Sequence, residues 1–351
     1  MTTVDEIVRD PQNQSPTEGA DSEITLARFD RKPHVAVVRQ LSQVSGVRTT
    51  LYLLLHWGLI IASFLAAALT RDWGWAHAVV VLFGALLICS RMQALGVMLH
   101  DATHYLLYKN RTLNDVVSDL LIAFPLGMST TLYRRTHFRH HRFTNTEQDQ
   151  DLAAMREEAE WYRWPKTKLA CCWTVVRTIL GLNTHRSWIL LKHWAPWYHL
   201  FDPVTPDFPL RARVLYILST VTIYGAFFWG LRVNPALAVT LVAMYIVSGF
   251  TLLNLINRLR ATAEHLGVPG THELNSTRTV IPHPIERFFI APHGVNFHLE
   301  HHLFPSVPGY NLSKLHRHLM TDPQFSSLAH VTRSYVGLVA ELMRLKAGTL
   351  K

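Results

Sequence analysis

The stretch LYLLLHWGLIIASFLAAAL, residues 51–69, runs without a single Lys, Arg, Asp or Glu. A helix needs roughly 17 to 25 apolar residues to cross about 30 Å of hydrocarbon, so this segment reads as a membrane span rather than a buried soluble helix. Three more runs of the same kind follow: Trp73–Cys89, Val214–Leu231 and Ala236–Ile256. Four in one chain exceed what a soluble core uses, and a composition 49% hydrophobic but only 17% charged agrees. The expected fold is an all-α integral membrane protein. Its four transmembrane helices, about 51–69, 73–92, 213–231 and 235–257, form two hairpins beneath a helical cytoplasmic cap.

Working outward, the hairpin tips TRDWGWAH (70–77) and GLRVNP (230–235) hold only Arg71 and Arg232 of the chain's 34 Lys and Arg. Positive charge gathers before the first span, between the pairs and after the fourth, which places both termini and the middle segment in the cytoplasm. The net charge of +9 then faces headgroups and protein partners, and with no recognition module beside it nucleic-acid binding is set aside. Residues 1–23 are polar and acidic and lack the apolar core of a signal peptide. The expected divisions are a partly disordered N-terminal segment at 1–48, a membrane domain at 49–320, and a cytoplasmic tail at 321–351 that ends in a basic amphipathic helix near Val336–Lys346.

Between the pairs, Val116–Leu132 is apolar but short and interrupted at Phe124-Pro125 and Gly127, which predicts a cytoplasmic or re-entrant packing helix and not a fifth span. From Trp161 to Trp197 six tryptophans alternate with Lys, Arg and Pro, the usage of a segment lying among lipid headgroups. The three cysteines, Cys89, Cys171 and Cys172, make neither a disulfide framework nor an iron–sulfur site and are read as packing residues.

Histidine is the unusual residue, 21 in 351 positions, and it clusters as HDATH (100–104), HFRHH (137–141) and HLEHH (298–302). At that frequency one H-x-x-H-H is expected about 0.07 times per chain and two about 0.003 times, so chance is a poor account. On a helix, positions i, i+3 and i+4 lie within about 60° of one direction, and each cluster aims its imidazoles to one side. His100 and His104 follow the second span and His265 follows the fourth by about ten residues, a common height of about 15 Å at 1.5 Å per residue. With His137, His140, His141, His298, His301 and His302 closing from the flanking segments, nine imidazoles converge. Zinc is satisfied by four ligands, whereas nine suit two octahedral ions with positions left open. Imidazole alone does not choose the metal; iron is preferred because an open two-metal site at a membrane surface is useful for activating oxygen.

The order HDxxH, HxxHH, HxxHH at the cytoplasmic ends of two transmembrane pairs resembles the membrane fatty-acid desaturase and hydroxylase superfamily, histidine-box di-iron enzymes, in its bacterial form. HRFTNTEQDQD (141–151) resembles the second box, with Gln150 where many members carry proline, and NFHLEHHLFPSVPGYNL (296–312) is similar to the third. The resemblance covers residues 50–320 or so. It implies two iron ions held by His100, His104, His137, His140, His141, His265, His298, His301 and His302, where His265 of RATAEH matches an extra family histidine. Molecular oxygen is the implied co-substrate, and Asn257 and Asn296 are candidates for the asparagine that holds an iron-bound water in many members. The implied activity is desaturation of an acyl lipid or acyl-CoA in a bacterial inner membrane. A lipid or carotenoid hydroxylase or ketolase, and a desaturase of a small non-lipid aliphatic substrate, stand as alternatives. No haem or ferredoxin motif is present in the chain, so a separate ferredoxin, or a haem-b-type cytochrome with its reductase, is expected on the basic face. A zinc transporter or receptor would instead place histidines inside the spans.

Asp101, Asp149, Asp151, Glu264 and Glu300 adjoin the boxes, and a metal-bound imidazole commonly donates its other N–H to a carboxylate. Arg134, Arg135, Arg139 and Arg142 cannot ligate metal; at least two are expected in solvent and the rest beside those acids or an anionic head group. His56, His77, His185, His193, His199, His272, His283, His293, His316, His318 and His330 lack box spacing and are expected to take no direct metal role.

Overall fold

The computed structural model describes residues 26–149, 158–185, 191–202 and 208–344. The expectations for the first 25 residues, for Asp151 and for Trp188 therefore lie outside the described residues, as does the end of the expected tail helix.

After a short helix α1 (Val35–Leu41), Ser45 caps α2 (Gly46–Leu69), its side chain accepting from the Arg48 N–H at 3.3 Å. Leu53, Ile60 and Ala67, seven residues apart on α2, form the buried stripe that packs against Ile88, Met92, Leu95 and Leu99 of α3 (Trp75–Thr103). The other face of α2 leaves Leu51, Leu54, Ile61, Leu65 and Leu69 at least half exposed, a surface that lipid covers at no cost and water does not. Downstream come α4 (Arg111–Ser118), α5 (Thr130–Phe143) and α6 (Lys168–Ile179), with single helical turns at Ala159–Tyr162 and Pro196–His199. A second pair of long apolar helices follows, with only Ala212 and Met244 buried on them. Between α7 (Leu210–Val233) and α8 (Pro235–Val247), Asn234 caps α8 by accepting from Leu237 N–H at 3.0 Å, with proline at the first helical position. A π-helical turn, Ser248–Leu252, joins α8 to α9 (Leu253–His265). The four segments Gly46–Leu69, Trp75–Thr103, Leu210–Val233 and Pro235–His265 are long and apolar enough to cross a membrane.

Two of these helices outrun the spans expected from hydropathy. Arg91 and Gln93 look like a span end, yet α3 continues because both find partners inside the protein. The Arg91 guanidinium lies 4.1 Å from the Phe288 ring centre, and Gln93 Nε2 donates to Ile290 O at 3.1 Å. The helix thereby delivers His100 without a break. Val116–Leu132 is split, as its sequence suggests: α4 passes into a π-helical turn at Asp119–Ala123, and Gly127 turns with φ +75° before α5.

The remaining elements follow α9 in the chain. Strand β1 (Thr279–Ile281) pairs in parallel with β2 (Val331–Arg333). Helices α10 (Pro284–Phe289), α11 (His298–Leu303) and α12 (Gly309–Leu319) lie between the strands, and α13 (Tyr335–Met343) follows β2. Leu299, Leu303, Leu312, Leu315 and Leu319 pack with Phe29 and Val38, while Tyr335, Leu338 and Leu342 of α13 pack with Ala263, Val280 and Val295. The tryptophan-rich stretch divides: Trp161 and Trp164 are buried, whereas Trp173 and Trp197 are exposed. Trp161 can be buried because its indole N–H donates to Thr178 Oγ1 at 3.0 Å. Of the cysteines, Cys89 is buried, Cys171 half-buried and Cys172 exposed, so Cys172 does not serve packing.

Candidate metal centre

The nine box and span-end histidines arrive on four helices and meet in two groups. His100, His104, His137, His141 and His301 form one, and His140, His265, His298 and His302 the other; within each group the ligand-type nitrogens all lie within 4.8 Å of one another. Helix α5 serves both, with His137 and His141 in the first group and His140 in the second. Helix α11 does the same with His301 against His298 and His302. Within the groups the Nε2 atoms nearly touch: His104 to His137 at 2.8 Å, His137 and His301 each to His141 at 3.0 Å, His265 and His302 to His298 at 2.9 and 3.0 Å.

Burial, with the neighbouring imidazoles adding to it, pushes His104, His137, His141, His298, His301 and His302 well below the usual histidine range. A neutral imidazole carries one proton, so four or five Nε2 atoms facing inward cannot all find donors among themselves. Convergent lone pairs in a buried site are what a cation satisfies, and the residues fit a pair of metal ions.

The surrounding acids differ in what they touch. His140 Nδ1–H donates to Asp149 Oδ1 at 3.0 Å while Asn145 N–H donates to Oδ2 at 2.9 Å. Burial raises the Asp149 carboxyl, but these donors outweigh it and hold it below its ordinary range. That bond turns His140 Nε2 toward the group. Asp101 Oδ1 lies 3.7 Å from His100 Nδ1, and its Oδ2 accepts from Gly309 N–H at 3.1 Å. Glu264 lies 3.9 Å from His298 Nδ1 and 2.8 Å from Arg260 Nε. Glu300 is different: fully buried, it accepts from His316 Nδ1 and Thr279 Oγ1, each at 2.5 Å. Asn257 lines the cavity described below, and Asn296 donates to Val280 O at 2.8 Å.

Arg135, Arg139 and Arg142 are exposed, and Arg134 is buried in a structural bond network with Asp115. His56 and His293 lie outside both groups but pair with each other, Nε2 to Nε2 at 2.7 Å. Sequence reading named neither Asp115 nor Arg278 and gave His316 no metal role; Asp115 meets Arg134 across 19 residues, Arg278 meets Glu341 across 63 and His316 meets Glu300 across 16, with no local spacing to mark the pairs.

A cavity of about 1720 Å³ reaches the histidines. Trp57, Phe64, Met92, Leu121, Phe124 and Ile223 contribute its apolar wall, and His100, His137, His140, His265 and His298 line it as well. Beside them α9 adds a polar strip, Asn254, Asn257 and Arg258, the last held by Glu158 through bonds of 2.8 and 3.0 Å.

The model of the family described as "Fatty acid desaturase" matches residues 73–334, a span that includes all nine of these histidines. The chain belongs to the fatty acid desaturase family. It is 27% identical over 302 residues to the dihydrorhizobitoxine desaturase of Bradyrhizobium elkanii, covering 83% of this chain and 81% of that one. It is 23% identical over 232 residues to a chloroplastic omega-6 fatty acid desaturase of Brassica napus, covering 64% of this chain and 50% of the relative. The Delta(5) fatty acid desaturase fat-4 of Caenorhabditis elegans is 24% identical over 250 residues, 65% of this chain and 55% of the relative. The chain thus spans about half the length of the latter two. This family member is a membrane protein and an oxidoreductase, with a histidine site suited to metal.

Proposed function

We propose that this desaturase is an oxygen-dependent di-iron enzyme that introduces a C=C bond into the aliphatic chain of an acyl lipid or acyl-CoA. The observation that carries the reading is the convergence of nine histidines in two buried groups, five and four. A closed zinc site is complete with four ligands, so nine imidazoles in two adjoining groups support a pair of ions of higher coordination number, such as iron. When bound, the irons supply the reduction of dioxygen with two hydrogens from the substrate, two electrons and two protons, giving the alkene and two waters. The chain's own residues orient the substrate: Trp57, Phe64 and Phe124 exclude water, and the carbon pair held beside His137, His140, His265 and His298 is the one that reacts. In this reading the first two and last two spans form hairpins within a domain at 49–320, and both termini and the cap lie on the cytoplasmic side of a bacterial inner membrane.

The polar strip on α9 favours a second reading, a small polar substrate, which the name of the Bradyrhizobium relative also supports. Purified enzyme with a reducing system, offered acyl and small polar substrates, is expected to release an acyl product two mass units lighter. A gain of sixteen would favour hydroxylation, and turnover of the polar compound alone would favour the second reading.

Electrons come, in this proposal, from an acidic ferredoxin or haem-b-type cytochrome. Arg135, Arg139 and Arg142 recur at i, i+4 and i+7 on the exposed face of α5, opposite His137 and His141. A donor seated there is about one helix diameter, 10–12 Å, from the histidines. Reversing Arg139 and Arg142 to Glu is expected to raise the KM for the donor about tenfold or more, with salt dependence reduced and dithionite-driven turnover unchanged.

A further inference from the structure

His265 is the last residue of α9, where the chain leaves the helix. Leu266 is already extended at φ −96°, ψ 138°, and Gly267 takes a left-handed φ of +66°. A helix end leaves its last carbonyls without intrahelical donors, and an uncapped end frays. Arg278 supplies those donors. Its Nη1 donates to Ala263 O and to Leu266 O, each at 2.8 Å, and its Nη2 donates to Gly267 O at 3.2 Å. Its backbone N–H donates to Glu264 O at 3.0 Å. One residue therefore holds four carbonyls bracketing His265. Arg278 is also 0% exposed, the bulkiest side chain so fully enclosed among the described residues, so no water substitutes for it.

The guanidinium charge is met by Glu341 of α13, which accepts from Nη2 at 2.9 Å. Glu341 also accepts from His330 Nε2 at 2.9 Å and Thr332 Oγ1 at 2.8 Å. Burial raises its carboxyl, yet the bond from His330 and the charge of Arg278 outweigh this and bring it down to about 2. Glu341 is thus an anion at every working pH. The link runs from α13 through Glu341 and Arg278 to the end of α9, and from there to His265 Nε2, 2.9 Å from His298 Nε2.

We propose that Arg278 and Glu341 are positioning residues for the four-histidine group, fixing His265 so that the C-terminal helix governs the affinity of one metal and not of the other. The proposal rests on the two-metal reading above. The five-histidine group takes no ligand from α9, which is why the effect is selective. Lysine at 278 keeps the charge but lacks the planar fork that spans several carbonyls, and glutamine at 341 keeps the shape but loses the charge.

The test uses the full-length protein in detergent, loaded anaerobically with ferrous iron and dialysed against graded chelator, with iron per chain counted. Wild type is expected to retain two ions. Arg278→Lys and Glu341→Gln are each expected to weaken one ion by about 10- to 100-fold, the range for residues that orient a ligand, and leave the other within about twofold. His265→Ala is expected to abolish the same ion, and adding Glu341→Gln to it to change nothing further. Glu341→Gln retains the arginine and carries the test if Arg278→Lys fails to fold. Equal weakening of both ions, no weakening, or a further loss in the double variant overturns the proposal. Fewer than two ions on the wild type overturns the two-metal reading instead.

Discussion

His301→Ala is expected to leave a chain that enters the membrane and folds, holds at most one iron and makes no measurable product. His301 stands inside the five-histidine group, with Nε2 3.0 Å from His141 Nε2 and ring centre 4.3 Å from His100 and 4.8 Å from His104. Alanine removes one of five inward nitrogens without disturbing the others. Losing a residue that merely orients a metal ligand costs about 10- to 100-fold, so losing a ligand is expected to cost turnover about 10³-fold or more. His316→Ala is the control: that ring bonds Glu300 and belongs to neither group, so both irons are expected to stay. Iron counting and mass spectrometry of the product check both. Two irons retained in His301→Ala would show that His301 is not a ligand.

Arg134→Met is expected to destabilise the protein by about 3–5 kcal/mol, the usual cost of removing one partner from a buried ion pair. Arg134 Nη2 and Nη1 donate to Asp115 Oδ1 and Oδ2 at 2.6 and 3.2 Å, and Nε and Nη2 donate to Thr103 O and Ala102 O at 2.8 and 3.0 Å. The guanidinium also lies 3.9 Å from the Tyr105 ring centre. It therefore ties the end of α3, beside His104, to α5, which bears His137 and His141. Methionine fills much of the volume, so the loss is mainly the counter-charge of Asp115, which keeps only the bond from Asn114 Nδ2, and the side-chain donor to Thr103 O; Ala102 O keeps Tyr105 N–H and Asn114 Nδ2. Thermal unfolding checks the sign and size. Asp115→Leu combined with Arg134→Met is expected to be less damaging than the two separate losses added together, because neither charge is then left alone.

What the sequence made legible, it made legible through local periodicity. Four apolar runs announce the spans, and i, i+3, i+4 spacing gathers the box histidines, with His265 marked by its height above the fourth span and by the match of RATAEH to the family's extra histidine. Adjacency was a poorer guide. Glu300 sits two residues from His298, which on a helix is about 200° of rotation, and so it faces His316 rather than the histidine groups. The four arginines of the second box look equivalent in a string of letters. Rotation separates Arg134, about 60° from His137, from Arg135, Arg139 and Arg142 on the reverse face. No rotation rule, however, supplies Asp115, which comes from another helix. Nor does the sequence show what meets Arg91 and Gln93, since their partners Phe288 and Ile290 arrive nearly 200 residues later.

The π-helical turn at Ser248–Leu252 gives this architecture a spatial reading frame. Such a turn accommodates one residue more than α-helical winding, so everything beyond it is rotated by about 100° relative to an unbroken helix. Ser248 Oγ donates to Ala85 O at 2.8 Å, and Gly249 lies against Met92, where an added Cβ would come within 3.1 Å, so the offset is seated against α3. Losing one residue there would be a frameshift in three dimensions. The hydrophobic profile would look unchanged, yet His265, thirteen residues on, would point elsewhere. In this stretch, composition answers to the lipid and residue count answers to His265.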